Sequence, residues 1–257
     1  MDKWLGQVAV VTGASSGIGE AVAEALVEHG MTVVALARRE ERLKSLEARL
    51  EGKKGKLHPL RTDITNTEDI TAALKWIESN VGAIHVLVNN AGIVIKKSFS
   101  ELEDEDLLKV FNVNLVSLSI MTARVLKVME SNNIELGHIF NMSSVNGHVS
   151  HPLPEFVSYF ASKRAVNAVS EGIRSEIAAS GLRVKVTNLS PGVVSTEMLS
   201  NVGLDKLPPG FLPMLQPKDV ADALIYTLST PPNVVVSELI IQPMGETIYR
   251  PPPPMPQ

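Results

Sequence analysis

The octapeptide TGASSGIG (12–19) follows an apolar, β-branched run, QVAVV (7–11), and precedes a segment whose apolar residues recur every three or four positions. This order predicts a strand, a tight glycine turn and a helix. Glycine lets backbone N–H groups approach a pyrophosphate at the positive end of a helix. The spacing G-x-x-x-G-x-G differs from the G-x-G-x-x-G dinucleotide fingerprint, so a plain glycine-rich turn is the alternative.

Short β-branched runs alternate with helical patterns along the rest of the chain. The other predicted strands are TVVAL (32–36), KLHPL (56–60), AIHVLV (83–88), GHIFNM (137–142), RVKVTNL (183–189) and SELIIQ (237–242). Predicted helices begin near Ile18 and cover 40–51, 66–79, 104–131, 156–180 and 217–229. The alternation implies βαβ units with right-handed crossovers. We predict one α/β domain over 1–257, Rossmann-type and doubly wound: a mostly parallel seven-stranded sheet in a three-layer α/β/α arrangement, with a Pro-rich tail at 250–257.

Composition excludes several classes of protein. The 257 residues carry 24 Lys and Arg against 28 Asp and Glu, a net charge of −4, which argues against a nucleic-acid partner. The absence of cysteine excludes disulfides, thiolate metal sites and a catalytic thiol. His, Asp and Glu show no metal-ligand spacing, so no metal is predicted. We expect a cytoplasmic protein, because no signal-peptide pattern and no run of about 18 apolar residues is seen.

The end of the second predicted strand carries an arginine pair, in Ala37-Arg38-Arg39. In a dinucleotide-binding fold this position reads the adenosine ribose, with an acid for a 2′-hydroxyl and an arginine for a 2′-phosphate. Guanidinium groups bind phosphate well, so the pair favours NADP(H) over NAD(H). Alternatively, these arginines are surface charges that pair with Glu40 and Glu41.

Tyr159 and Lys163 stand four residues apart in a helical pattern, so their side chains share one face. A free tyrosine has a pKa of about 10, and two neighbouring positive charges, an ammonium and an oxidised nicotinamide, would lower it. Tyr159 would then be the general acid in ketone reduction and the base in alcohol oxidation. The alternative is an ordinary pair on a helix surface.

Polar residues also gather where predicted strands end, at the sheet edge that binds ligands in open α/β folds. Ser144 follows strand 137–142, and NNAG (89–92) ends the fourth strand. A serine hydroxyl there would hold a substrate oxygen, although turn chemistry also explains Ser143 and Ser144. Asn114 lies on an apolar helical face, where a buried amide needs a partner.

With these motifs in order, the chain resembles the short-chain dehydrogenase/reductase family over essentially its whole length. Residues 2–19, the arginine pair and a long Ser–Tyr segment resemble its NADP-dependent insect farnesol dehydrogenase-like and animal carbonyl and ketosteroid reductase-like members. The matching pieces are TGASSGIG (12–19), Asp63 in a D-x-T element, NNAG (89–92), Asn114, Ser144, Tyr159 with Lys163, and Pro191-Gly192 followed by Thr196.

The resemblance implies a catalytic tetrad of Ser144, Tyr159, Lys163 and Asn114. In that family the lysine also binds the nicotinamide ribose, and the asparagine holds a water that extends a proton relay. Asp63 is implied to contact adenine, Asn90 the adenine-side ribose, and Val194 with Thr196 the nicotinamide amide. The implied cofactor-binding set is Gly13, Ser15, Ser16, Gly17, Ile18, Gly19, Arg38, Arg39, Asp63, Ile64, Asn90, Ala91, Gly92, Tyr159, Lys163, Pro191, Gly192, Val194 and Thr196.

One departure from the family pattern affects the choice of serine. At the common family spacing the serine position falls on Asn146, which has no hydroxyl. The segment NGHVSHPLPEFVS (146–158) is therefore predicted to be two residues longer than usual. We choose Ser144 over Ser143 on this ground.

Two segments, 145–158 and 193–217, are predicted to line the substrate site, the second as a lid. Met and Leu tolerate varied ligand shapes, so an apolar substrate is predicted: a farnesol-like isoprenoid, a steroid or another lipophilic carbonyl compound. Packing in a dimer interface or in the core is the alternative. The apolar side chains of this lid are Met198, Leu199, Val202, Leu204, Leu207, Phe211, Leu212, Met214 and Leu215. His148 and His151 are further candidates for contact with substrate, although loop histidines are commonly solvated.

The predicted function is an NADP(H)-dependent alcohol dehydrogenase or carbonyl reductase (EC 1.1.1.-). A non-catalytic NADP(H)-sensing protein on the same fold is the alternative, since fold alone does not separate the two. An epimerase is disfavoured because no second substrate domain is seen. By resemblance, helices 104–131 and 156–180 are expected to form a homodimer or homotetramer.

Overall fold

The computed structural model describes residues 1–149, 154–204 and 212–246. Its strands are β1 (Val8–Thr12), β2 (Thr32–Ala37), β3 (Lys56–Arg61), β4 (Ile84–Asn89), β5 (Gly137–Met142), β6 (Val184–Pro191) and β7 (Glu238–Ile241). They form one parallel sheet in the order β3-β2-β1-β4-β5-β6-β7. The predicted seven-stranded Rossmann-type fold is confirmed.

The α-helices of the described residues are α1 (Gly17–Glu28), α2 (Glu40–Arg49), α3 (Thr67–Asn80), α4 (Asp104–Phe111), α5 (Ser117–Ser131), α6 (Val157–Ser180), α7 (Glu197–Asn201) and α8 (Pro217–Ser229). The single helix predicted over 104–131 is interrupted by a π-helical turn at Asn112–Val116. The five-residue helix α7 was not predicted, because five residues give too short a window for apolar periodicity.

Alternate residues of each strand face opposite sides of the sheet, which produces two buried layers. In β1, Ala9 and Val11 pack with α1, α2 and α8, whereas Val8 and Val10 pack with α3, α5 and α6. All five residues of β1 are buried. Strands covered by helices on both faces need continuous apolar runs, which is why these segments were recognisable in the sequence.

The order of the strands reverses at β1, which pairs with β2 on one side and with β4 on the other. A crevice therefore forms beyond the carboxyl ends of β1 and β4, where ligands bind in open α/β sheets. Close packing at this crevice requires glycine. At Gly13 the backbone has φ +66°, and a Cβ would lie 2.8 Å from the Cα of Ala91; at Gly19 it would lie 2.4 Å from the carbonyl oxygen of Gly13.

The helical run Asp104–Ser131 is long and apolar enough, by length and composition alone, to cross a membrane. In the structure its second half, α5, packs against β4 and β5. The buried positions of α5 belong to the protein core, whereas other apolar side chains of the run, such as Leu108 and Val116, are exposed.

Candidate active site

The glycine turn places two serine hydroxyls against Arg39. The Nε and Nη2 atoms of Arg39 donate to Ser15 Oγ at 3.1 and 3.0 Å, and Nη2 donates to Ser16 Oγ at 2.6 Å. Helix α1 begins at Gly17, and the Ser16 side chain does not cap its first N–H groups. Free N–H groups at a helix start attract anions, so this corner is suited to phosphate.

The other members of the predicted ribose and adenine set lie nearby. Arg38 lines an open cleft of about 790 Å³ together with Thr65 and residues of α4. Asp63 accepts hydrogen bonds from the amide and the hydroxyl of Thr65 at 2.9 and 2.7 Å. Burial raises the pKa of Asp63, but these hydrogen bonds and the positive charge of Arg38 outweigh burial and hold that pKa below its usual value. Ile64, between Asp63 and Thr65 in the sequence, is half-buried.

Asn90 fastens the end of β4 to the glycine turn. Its Nδ2 donates to the carbonyl oxygens of Thr12 and Gly13 at 3.0 and 3.3 Å. The amides of Asn90 and Ala91 both donate to Thr12 Oγ1, at 3.0 and 3.1 Å. The predicted residues 90–92 therefore do lie beside the glycine turn, and the Asn90 amide nitrogen is used to hold that turn in place.

The two candidate serines after β5 face different surroundings. Ser143 Oγ donates to Asn167 Oδ1 at 2.5 Å and to the carbonyl of Lys163 at 3.3 Å. Ser144 is the N-cap of a short 3₁₀ turn, accepting from the Asn146 amide at 3.1 Å. Its hydroxyl lies 3.5 Å from the Pro191 carbonyl and close enough to the Tyr159 phenol to lower the pKa of that phenol. Ser144 is therefore the serine beside the tyrosine, and Ser143 is held within the fold.

Tyr159 and Lys163 occupy successive turns of α6, with Lys163 Nζ 5.7 Å from the centre of the Tyr159 ring. Lys163 is 4% exposed, and its Nζ donates to the Met142 carbonyl at 2.7 Å. Burial lowers the pKa of Lys163 to about 8. Burial also raises the pKa of Tyr159, and hydrogen bonding with Ser144 opposes that rise. The Ser144 hydroxyl, the Tyr159 phenol and the buried Lys163 amine are thus neighbours, an arrangement that suits the binding and protonation of an oxygen atom.

Asn114 lies in the π-helical turn and is 1% exposed. Its Oδ1 accepts from the Ile93 amide at 2.8 Å, and its Nδ2 donates to the Ile93 carbonyl at 2.9 Å and to Ser162 Oγ at 3.0 Å. A Cβ on Gly92 would lie 3.4 Å from Asn114 Oδ1 and 3.7 Å from Lys163 Nζ. The four predicted catalytic side chains are therefore brought together around the end of β4 and β5.

The segment after β6 returns over the glycine turn. A Cβ on Gly17 would lie 3.0 Å from Thr196 Cγ2. The two ends of the segment are tied together, since the Ser195 amide donates to the Leu215 carbonyl and the Leu215 amide to the Val193 carbonyl, both at 2.8 Å. Val194 is buried and pairs with Leu215 in an isolated bridge. Pro191 ends β6, and Gly192 packs against the carboxylate of Glu246.

Some of the predicted substrate residues lie outside the described residues: His151 in the first segment, and Leu207 and Phe211 in the lid. The predicted Pro-rich tail, 250–257, also lies outside them. Of the described ones, Val202 is buried and Met214 is 43% exposed. His148 is not simply solvated, because its Nε2 lies 3.0 Å from Ser190 Oγ and 3.3 Å from Glu238 Oε1.

Three residues near the site were not found from the sequence. Asn167 joins α6 to the serine turn, through Ser143 and the Gly147 carbonyl at 3.2 Å. Arg42 and Glu197 form an ion pair at 2.5 Å beside Arg39. Each contact joins distant parts of the chain, and periodicity and spacing carry no signal for such pairs. Only the position of Asn167 on the Lys163 face of a helix, four residues on, would have drawn attention to it.

Comparison with known proteins gives the same family throughout. Residues 7–207 match the family model described as short chain dehydrogenase. The chain is 42% identical over 248 residues to a farnesol dehydrogenase of Aedes aegypti, covering 96% of this chain and 99% of that protein. It is 37% identical over 250 residues to human dehydrogenase/reductase SDR family member 11, covering 95% and 96%. An alcohol dehydrogenase of Thermococcus sibiricus, solved with 5-hydroxy-NADP, superposes with a TM-score of 0.80 at 27% identity, covering 96% and 99%.

Proposed function

Because the chain belongs to the short-chain dehydrogenase family of oxidoreductases, we propose that it interconverts an alcohol and a carbonyl compound with NADP(H), and that Tyr159 is its general acid and base. The observation that carries this proposal is that the Lys163 amine, hydrogen-bonded to the last residue of β5, lies 5.7 Å from the centre of the Tyr159 ring, with Ser144 on the turn that follows β5.

The cofactor site fits a nicotinamide dinucleotide. Gly17, the first residue of α1, has no side chain, and Thr196 lies against it. Ser15, Ser16 and Arg39 supply hydrogen-bond donors at the same corner. When bound, the nicotinamide supplies or accepts the hydride, so the protein needs no nucleophile of its own.

The side chains of the chain itself handle the proton. Ser144 donates a hydrogen bond to the substrate oxygen, and the Tyr159 phenol gives its proton to that oxygen during reduction or removes it during oxidation. The Lys163 ammonium, with its pKa of about 8, is mostly charged at pH 7. Its positive charge stabilises the phenolate and so offsets the burial that raises the pKa of Tyr159. Asn114 fixes the Ile93 backbone next to this group.

The preference for NADP(H) is supported by the corner around Arg39. An acid that would bind a 2′-hydroxyl does not follow β2; instead Arg38 and Arg39 do. The alternative partners of the arginines, Glu40 and Glu41, pair with Lys44 at 2.9 and 3.5 Å. Arg39 instead donates to the two serine hydroxyls of the glycine turn and to the carboxylate of Glu197.

We further propose that 193–217 is a lid over an apolar substrate. The tie between Ser195 and Leu215 closes this segment into a loop with fixed ends, and Met198, Leu199 and Leu204 on it are half-buried. Leu199 and Met214 of this segment line the open cleft beside the glycine turn, and apolar side chains at a binding site favour lipophilic ligands. An isoprenoid alcohol fits, as the name of the Aedes aegypti relative suggests.

A homodimer or homotetramer in the cytoplasm completes the proposal. Leu108 on α4 is 70% exposed, and Val116 in the π-helical turn is 44% exposed. Exposed apolar side chains on the helical run 104–131 favour contact with a second copy of the chain.

A fluorescence assay of NADP(H) and NAD(H) turnover over alcohols and carbonyl compounds of graded chain length tests these points together. We expect turnover with NADP(H), rising from short polar substrates to isoprenoid-sized ones. Preference for NAD(H) would contradict the assignment of the arginines, and preference for short polar substrates would contradict the apolar lid. Binding of NADPH without turnover of any substrate would favour the non-catalytic sensor.

A further inference from the structure

The carboxylate of Glu197 is shared between two arginines. Arg39 Nη1 donates to Oε2 at 2.8 Å, and Arg42 Nη1 donates to Oε1 at 2.5 Å. These hydrogen bonds lower the pKa of Glu197 to about 2, so the carboxylate is charged at every working pH. Glu197 is the first residue of α7, inside the segment 193–217. A fixed negative charge from the lid therefore rests on the arginine that faces the glycine turn.

Two guanidinium groups around one anion are also the donor arrangement that binds a phosphomonoester. Arg39 is already positioned by Ser15 and Ser16, through its Nε and Nη2 atoms. The Nη1 atom of Arg39 donates to Glu197, and so does the Nη1 atom of Arg42. An open cleft of about 670 Å³ lies against Ser15, Arg42 and Glu197, so a phosphate has room to reach the arginines.

We propose that Glu197 is a specificity-determining residue that competes with the cofactor 2′-phosphate for Arg39 and Arg42. In the free protein the carboxylate takes the place of the phosphate and holds α7 against the arginines. Binding of a 2′-phosphate displaces the carboxylate and releases the start of α7. This inference rests on the proposed use of NADP(H), and it links recognition of that phosphate to the position of the lid.

The exposure of the three side chains sets the expected size of the effect. Arg39, Arg42 and Glu197 are 44%, 48% and 52% exposed. Ion pairs this exposed are weak because water screens them, and a phosphate dianion carries more charge than a carboxylate. The phosphate therefore wins the competition, and removing the carboxylate should tighten its binding only about three- to tenfold.

Calorimetry on the full chain with two probes isolates the phosphate. Adenosine 2′,5′-bisphosphate and 5′-AMP differ only in the 2′-phosphate. We expect Glu197→Gln to bind the bisphosphate about three- to tenfold more tightly and to bind 5′-AMP within about twofold of the unaltered protein. Glu41→Gln is the matched control, since it removes the same charge near Arg39 from a side chain that pairs with Lys44. We expect it to change neither affinity by more than about twofold.

The outcomes separate this inference from the proposed function. If the unaltered protein prefers the bisphosphate but Glu197→Gln binds it no more tightly, the competition is wrong and NADP(H) use stands. Equal tightening by Glu41→Gln, or equal tightening for 5′-AMP, would also overturn the competition, because the effect would then be one of general charge. If the unaltered protein shows no preference for the bisphosphate, the NADP(H) proposal itself fails.

Release of α7 has its own readout, because the chain has no cysteine. Asn201→Cys places a single exposed thiol at the end of α7 for an environment-sensitive fluorophore. We expect the bisphosphate, and not 5′-AMP, to shift the emission of this fluorophore. In the double variant that also carries Glu197→Gln, most of this shift should be present before any ligand is added. An emission unchanged by the bisphosphate would overturn the release of α7.

Discussion

Lys163 Nζ donates a 2.7 Å hydrogen bond to the main-chain carbonyl of Met142, which fastens the amine of α6 to the last residue of β5. The amine is held beneath the Tyr159 ring and is almost completely buried. A buried ammonium is unfavourable, and burial accordingly lowers the pKa of Lys163 to about 8. The position that makes Lys163 useful to Tyr159 is thus one that destabilises the folded protein.

The first prediction concerns this burial. Between pH 8 and the usual lysine value of 10.5, the unfolded chain binds a proton at Lys163 that the folded chain has lost, so stability rises with pH in that window. Lys163→Met removes this contribution of Lys163 to the pH dependence of stability. Between pH 7 and 9.5 the unaltered protein should gain about 2 kcal/mol in free energy of unfolding relative to this variant, measured by urea unfolding at both pH values.

Lys75→Met is the control, because Lys75 is an exposed lysine on α3. It should leave the pH dependence of unfolding unchanged. Equal pH dependence in the unaltered protein and in Lys163→Met would show that folding does not lower the pKa of Lys163, and it would contradict the cost assigned to burying this amine.

The second prediction separates the two serines. Ser144→Ala should lower kcat/KM by about 10²-fold or more, because a donor to the reacting oxygen is lost. Ser143→Ala should keep activity within about tenfold and lower the free energy of unfolding by about 1 kcal/mol, because Asn167 Oδ1 loses its donor at 2.5 Å and keeps the weaker one, Asn188 Nδ2 at 3.3 Å. Steady-state kinetics and urea unfolding measure both. The reverse pattern of activity would assign the catalytic hydroxyl to Ser143.

The sheet and the order of the site motifs were predictable because both are local features of the sequence. Each strand is an apolar run a few residues long, and β5 was predicted with its observed bounds. The carboxyl ends of parallel strands share one edge, so residues that follow β1, β4 and β5 had to meet. This is why Asn90 lies against the glycine turn at Gly13.

What sequence reasoning missed depends on contacts between distant segments. The π-helical turn at Asn112–Val116 leaves the apolar pattern of 104–131 nearly intact, so periodicity predicted one helix. The ion pair of Arg42 is with Glu197, which is 155 residues further along the chain. Arg39 could be predicted to lie at the cofactor site because it follows the second strand. Nothing in the sequence around Glu197 predicts that this residue contacts the end of β2.

The third prediction tests the proton-transfer group. Tyr159→Phe should lower kcat by about 10²-fold or more while leaving binding of NADPH, measured by fluorescence, within a few-fold. The ring stays in place and only the hydroxyl is lost. Tyr226→Phe is the matched control, since Tyr226 is 63% exposed on α8, and it should be as active as the unaltered protein. Full activity of Tyr159→Phe would contradict its role as acid and base.

The fourth prediction concerns Asn114, whose side chain satisfies both the amide and the carbonyl of Ile93. Asn114→Ala leaves these backbone groups unpaired in a buried place, which should lower the free energy of unfolding by about 2 kcal/mol. Activity should fall as well, because the Ile93 backbone runs next to Gly92 and the Lys163 amine. Asn112→Ala, in the same π-helical turn, is the control and should have a much smaller effect on both quantities. An unfolding free energy for Asn114→Ala equal to that of the unaltered protein would show that the turn is held without this side chain, and a loss of activity in that same variant would then assign Asn114 to the reaction alone.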